Sequence, residues 1–423
     1  MTKREWERGF GEMINAGDTA WILISTALVM LMTPGLALFY GGMVRRKNVL
    51  STKMMSFALL GVIGVLWVIY GYSLSFGPDA GGFIGSLSWF GLMGVGQAPS
   101  ATYATTVPHL AFMSFQGMFA VITVGLWTGG IVERTKFSSF LVLAVLWFTV
   151  VYCPVAHWVW GSGGWLAKLG TLDFAGGLVV HVNAGMSVLA MVLVLGARKG
   201  YKSGEPMEPH NIPMVVLGAG LLWFGWFGFN AGSALTSGGL ASSAFVATNI
   251  AGAAGAVTWI ALGWIYRRPS ALGAATGAVA GLAAVTPAAG YISPIYGLPI
   301  GIVASVIGYY CILFRTKKMK LDESLDVWAV HGMGGLWGTL AVGIFATVSV
   351  NSAGADGLVA GHGMLLLKQL AGIAAVGAYA FGVTYVITKL VDRTIGLRVK
   401  EHEETVGLDI SQHGERAYSG ISF

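Results

Sequence analysis

The sequence predicts an all-α integral membrane protein with eleven transmembrane helices, and three observations carry that prediction. The 423 residues are 55% hydrophobic, with a mean hydropathy of +0.71. Only 10% are charged, against roughly 25% in a soluble domain, too few to cover a water-facing surface without large apolar patches. The apolar residues come in continuous runs of about 20, the length a helix needs to cross the hydrocarbon, not in the alternating segments of a transmembrane β-barrel. The same figures exclude a disordered chain, a nucleic-acid binder and a disulfide-stapled secreted module.

Residues 1–18 contain Glu5, Glu7, Glu12 and Asp18 and lack an apolar h-region, so no cleavable secretory signal is expected there. Spans follow near 19–41, 54–76, 108–131 and 138–158, and a fifth near 174–196 is preceded by Asp173. The next four lie near 212–232, 241–266, 270–290 and 296–314. Within the third of these, Gly273, Gly277 and Gly281 share one face, and small residues at that spacing let helix backbones approach closely in lipid. A tenth span near 325–349 starts at Asp326 and repeats the spacing with Gly334 and Gly338; the last, near 363–389, carries Lys368 close to one end. Glycine is abundant throughout, 63 residues in all, a share about twice the usual ~7%.

Twenty of the 25 Lys and Arg fall in the connections after spans 1, 3, 5, 7 and 9 and in the C-terminal tail. The other side holds Lys3, Arg4, Arg8, Lys168 and Lys368. The positive-inside rule therefore places the N-terminus outside and the tail in the cytoplasm. The chain divides into an extracellular segment 1–18, a membrane domain 19–392 and a cytoplasmic tail 393–423. On this topology Cys153 and Cys311 lie toward opposite faces, so no disulfide between them is expected.

Five spans is an odd number, so a five-span unit followed by its copy sits inverted in the membrane, with substrate sites expected between the halves. Span 5 opens with Asp173 and places His181 eight residues later; span 10 opens with Asp326 and places His331 five residues later. These two histidines are the only ones well inside spans. A lone one is readily understood as a satisfied core residue, but two at matching positions in inverted halves point to a pathway, since an ionisable group in the bilayer usually faces one. Neither has a histidine or carboxylate at i+3 or i+4, so no metal, haem or other cofactor is expected. Both aspartates precede helices, where a carboxylate caps free N–H groups at the positive dipole end.

Several motifs in order resemble the ammonium transporter (Amt/Mep/Rh) family. They are Phe-Gln-Gly-Met-Phe at 115–119, Asp-Phe-Ala-Gly-Gly at 173–177 with His181, Gly-Trp-Phe-Gly-Phe-Asn-Ala-Gly-Ser at 225–233 and Val-His-Gly at 330–332. The tail, Gly-Leu-Arg-Val at 396–399 and Gly-Leu-Asp-Ile-Ser-Gln-His-Gly-Glu-Arg-Ala-Tyr at 407–418, is similar to the microbial Amt branch. The resemblance implies a homotrimer in the cell membrane, one pore per subunit, ammonium (with methylammonium as its analogue) as substrate and a PII-type signalling protein at the cytoplasmic face. It also implies roles: Phe119, Trp160 and Ser233 recruit ammonium, with Asp173 supporting that site; Phe119 and Phe229 close the entrance; His181, His331 and Trp226 line the pore.

The chemistry is coherent without the family. An aromatic vestibule with a hydroxyl acceptor suits a small cation bearing four N–H donors. An apolar constriction then penalises the charged form and favours its loss of a proton, and a neutral imidazole pair offers both a donor and an acceptor. Potassium has no proton to lose. The competing reading is an ammonium sensor signalling through its tail. No enzyme motif is present.

Overall fold

Helices occupy all eleven expected positions in the computed structural model, which describes residues 14–266 and 268–418. They are α1 (Ala16–Met43), α2 (Arg46–Phe76), α3 (His109–Ile131), α4 (Phe137–Leu169), α5 (Gly177–Leu195), α6 (Ile212–Gly232), α7 (Gly239–Tyr266), α8 (Ala271–Val285), α9 (Pro294–Met319), α10 (328–345) and α11 (Met364–Thr394). Nine of these, all but α8 and α10, are long and apolar enough to cross a membrane. The polar segment at residues 1–13 lies outside the described residues.

The differences from the expected boundaries have physical causes. The apolar run suggests that α8 reaches residue 290, but the helix stops at Val285, because residues 286–290 leave it in a succession of turns. α4 runs beyond its expected end at 158 but is broken at 161–164, where Gly161, Gly163 and Gly164 fold a tight corner. The connection 77–108 carries two small antiparallel ribbons, β1 (Asp79–Ala80) with β2 (Ile84–Gly85) and β3 (Pro99–Ser100) with β4 (Ala104–Pro108). Strands of two to five residues fall below what alternation in a sequence can signal.

The first helix of each half, α1 and α6, pack along one another, and the fifth helices, α5 and α10, cross. Glycine permits both close contacts and sets their distance. A side chain at Gly218 on α6 would begin 2.3 Å from the backbone nitrogen of Phe39 on α1, and one at Gly185 on α5 would begin 2.2 Å from the Cα of Gly332 on α10. The expected glycine face of α8 packs likewise: a side chain at Gly281 would begin 2.1 Å from the carbonyl oxygen of Ala251 on α7. Gly338 on α10 meets Ala284 the same way, whereas Gly334 has ordinary room. Cys153 and Cys311 are both free thiols.

The tail folds back onto the bundle as two short helices, α12 (Glu401–Val406) and α13 (Leu408–His413). Gly396, Gly407 and Gly414 make the turns with φ of 71°, 109° and 69°, a region open to glycine at little cost; Gly420 lies outside the described residues. Docking is through specific polar contacts. Asp409 accepts from the Ser51 amide at the start of α2, 2.8 Å, Asn48 accepts from the Leu408 amide, 2.9 Å, and Glu404 accepts from the Lys199 amide, 2.5 Å, and from Arg398, 2.6 Å.

Beneath the helices the tail meets a buried ionic cluster. Glu133 accepts from Arg45 Nε at 2.9 Å, from Asn48 Nδ2 at 2.8 Å and from Arg198, whose guanidinium also grips Asp322 at 2.7 and 3.0 Å. Burial alone would raise the Glu133 carboxyl, but Arg198, Arg45 and Asn48 hold it down at about 2. Loop cations expected mainly as orientation signals are thus also structural partners.

Candidate functional site

Two wide turns place the histidines. α5 begins with a π-helical turn, Gly177–Val182, and α10 with another, Trp328–Gly332, each holding its histidine. Such turns insert a residue into the helix and recur at functional sites. The two helices cross at Gly185 and Gly332, and a side chain at Gly335 would begin 2.6 Å from the Cβ of His181. With backbones this close, His181 Nδ1 and His331 Nδ1 lie 3.3 Å apart, the rings nearly parallel with centroids 5.2 Å apart. Position along the spans does not by itself predict this contact; the crossing of α5 and α10 brings the rings together. Two nitrogens facing each other at that distance need one N–H and one lone pair, so neutral rings adopt complementary tautomers. The Nε2 of His181 is buried and has no partner among the described residues.

The carboxylate caps fall differently from expectation. Asp173 does cap α5, accepting from the amides of Gly176, Gly177, Leu178 and Val179 at 2.6–3.1 Å. Asp326 does not cap α10. Its carboxylate accepts from Arg315 at 2.6 Å, and its backbone sits at φ 62°. Glu323 takes the capping place, accepting from the amides of Val327 and Trp328 at 2.7 and 3.3 Å. This resolves the mismatch in spacing, since Glu323 precedes His331 by eight residues, as Asp173 precedes His181. Burial pushes the Glu323 carboxyl up to about 7, against the pull of Arg315 and with the Asp326 charge beside it.

On one side of the histidines lies a cavity of about 360 Å³ lined by Phe119, Trp160, Asp173 and Ser233 among others. Trp160 donates its indole N–H to the Asp173 carbonyl, 2.8 Å, which fixes the ring edge-on to Phe119 with centroids 5.8 Å apart. Asp173 therefore acts on this cavity by holding α5 and Trp160 in place; its carboxylate is occupied by four amides. The Ser233 hydroxyl donates to the Phe229 carbonyl, 2.9 Å, leaving only oxygen lone pairs to offer a ligand. Phe119, on the cavity wall, stacks on Phe229 at 4.2 Å, and both rings are buried. Beneath them His181 stacks on Phe229 at 6.2 Å and on Trp226 at 5.8 Å, while Trp226 is anchored by its N–H to Thr286, 2.9 Å. On the far side His331 borders a smaller cavity of about 40 Å³ with Tyr40, Met43 and Asp326.

Sequence reading missed Gln116. It lines the cavity of about 360 Å³, and its Oε1 is buried without a partner among the described residues. The signal was available, because it lies three residues before Phe119 on the same helix, where side chains share a face. Tyr103, Tyr291 and Asn351, from connections, complete the cavity wall; nothing in a sequence pattern places loop residues there. The other histidines with defined partners serve the frame. His109 bonds the Tyr72 hydroxyl at 2.5 Å, His157 lies between Ser75 O and Asp79 at 3.0 Å each, and His210 joins Val44 O to the Tyr418 hydroxyl.

A helical membrane fold with two cavities separated by stacked aromatic rings and a histidine pair defines a multi-pass membrane transporter. The family model of the Ammonium Transporter Family matches residues 20–418, and the chain belongs to that family. It is 50% identical over 403 residues to an ammonium transporter of Bacillus subtilis, covering 95% of this chain and 98% of that one. It is 51% identical to the ammonium transporter Amt1 of Archaeoglobus fulgidus, covering 95% and 99%. Among solved structures, the S453D mutant of Mep2 from Candida albicans superposes with a TM-score of 0.88 at 39% identity, covering 93% of this chain and 89% of that one.

Proposed function

We propose that this ammonium transporter recruits ammonium in the outer cavity at Phe119, Trp160 and Ser233, that the cation gives up a proton at the stacked phenylalanines, either to water in that cavity or to the imidazole pair as a separate relay, and that ammonia is conducted past His181 and His331. The observation that carries the reading is the imidazole pair meeting at 3.3 Å between two cavities. A cation is held well by aromatic faces and a hydroxyl oxygen, but it loses hydration at a floor of buried phenyl rings, where the neutral form is favoured. The orphaned His181 Nε2 then faces the only polar task in an apolar constriction: to donate to ammonia or accept from it, according to tautomer. In the same reading all eleven helices cross the bilayer, the N-terminus lies outside, and three subunits assemble, each with its own pore.

Trp160→Leu and Ser233→Ala are each expected to weaken apparent affinity for methylammonium by the loss of a contact of ~0.5–2 kcal/mol. A concentration series of uptake into proteoliposomes measures this. Unchanged affinity in the double variant would remove the outer cavity from recruitment.

The tail is the proposed regulatory element, with a PII-type protein docking on the cytoplasmic face beside it. Its contacts with the connections after α1 and α5 tie it to α5, which carries His181, and to α1, whose Tyr40 borders the same small cavity as His331. Deleting residues 396–423 is expected to lower flux without preventing assembly, since the helices above keep their own packing. Wild-type flux and wild-type response to the regulator in the truncated protein would show the tail to be an appendage. The competing reading, a sensor, requires tail movement on ammonium binding in a protein with no flux, so the uptake measurement separates the two.

A further inference from the structure

The tail and the connection after α1 enclose a cavity of about 590 Å³ for which the transport cycle has no use. Its wall carries four cations, Arg45, Arg46 and Lys47 from the connection and Arg416 from the tail, against two carboxylates, Asp409 and Glu415. Of these carboxylates, Asp409 gives Oδ1 to the Ser51 amide, while its Oδ2 is buried with no partner among the described residues. Arg45 uses its Nε on Glu133, while its Nη2 is buried with no partner among the described residues. A buried donor without an acceptor costs about 1–3 kcal/mol, which an incoming anion offsets. Among the described residues, Lys47 Nζ donates to carbonyl oxygens, those of Glu404 and Thr405 at 2.9 and 2.7 Å. The remaining wall is apolar and flat, with Ile410 and the Tyr418 ring, over which Arg46 sits 4.8 Å from the centroid.

A cavity of this size falls in the range of small-molecule sites, roughly 300–1,000 Å³. Its excess of guanidinium groups matches phosphate, which they bind in a fork geometry. The apolar wall matches a ligand whose phosphate is attached to a larger body. We propose that this cavity binds a phosphate-bearing anion, a nucleotide or an anionic phospholipid headgroup, which ties the tail to the connection after α1. The site is remote from the histidine pair, and its occupancy is read without any transport.

The test uses the full-length protein in phosphatidylcholine nanodiscs. Inorganic phosphate and ATP are titrated calorimetrically, and tail protection against trypsin is followed with each and in discs containing phosphatidylglycerol. Saturable binding of ATP, or protection by phosphatidylglycerol, is expected, and Arg416→Glu weakens it at least about tenfold, the loss of one charge-assisted contact. Arg416 is exposed, so this variant folds, and Arg416→Lys retains most of the effect. ATP alone or phosphatidylglycerol alone giving the effect identifies the source of the phosphate. No response to any of the three, or a response that Arg416→Glu leaves unchanged, overturns the proposal.

Discussion

His181→Ala and His331→Ala are each expected to lower selective ammonium transport by at least about 10²-fold, as for loss of a positioned proton-handling group, while the protein still folds. Folding survives because neither imidazole holds the helices together. The Asp173 and Glu323 carboxylates cap α5 and α10, and glycine contacts fix their crossing. What is lost is the complementary donor and acceptor pair in an otherwise apolar passage. Ammonium-evoked current and ammonia flux in proteoliposomes, compared with potassium, measure the outcome. Full selective activity in both variants would remove the pair from the mechanism.

The largest stability effect is expected from Glu133→Ala. That carboxylate satisfies Arg45, Arg198 and Asn48 together, and removing one partner of a buried ionic cluster costs about 3–5 kcal/mol. Glu133→Gln keeps the volume and one acceptor and should cost less. The pH dependence has a definite sign. A carboxyl ordinarily at 4.5 and held at about 2 in the folded state contributes stability that is fully present above 4.5 and is lost as pH falls toward 2. Thermal unfolding in detergent should show this acid-side decline in the wild type, and a shallower one in Glu133→Ala. Equal melting temperatures for wild type and Glu133→Ala at neutral pH would show that the cluster carries no stability.

Helix positions are legible in the sequence because an unbroken apolar run of about 20 residues matches the thickness of the bilayer and little else. The wide turns at 177–182 and 328–332 are not, because one added residue leaves the hydrophobic pattern nearly unchanged. For that reason residue counting does not bring His181 and His331 into contact. Asp326 reads as a cap because it is the last acid before the helix. Its left-handed backbone turns it toward Arg315 and leaves Glu323 to cap, a choice made by tertiary geometry. In the site, the family resemblance pointed to Phe119, Phe229, Trp160 and Ser233; Phe119, Trp160 and Ser233 line one cavity, and Phe229 stacks on Phe119. It did not reveal that the Ser233 proton is already committed to Phe229 O, nor that Gln116 joins them.

The distance between the imidazoles is set by the contact of two main chains. Where Gly185 meets Gly332 the helices already touch: a methyl group at Gly185 would begin 2.2 Å from the Gly332 Cα, and one at Gly332 a tight 3.1 Å from the Gly185 Cα. The bore of the proposed passage is thus gauged by residues that have no side chain, and the chemistry along it by residues that do. The two properties are separable under mutation and selection. Exchanging a lining side chain alters what the passage prefers at constant calibre, whereas a single added carbon at the crossing pushes the helices apart and alters the calibre for every permeant at once. Alanine at both crossing positions should therefore do little more harm than alanine at one, because the first substitution already creates the gap that the second needs.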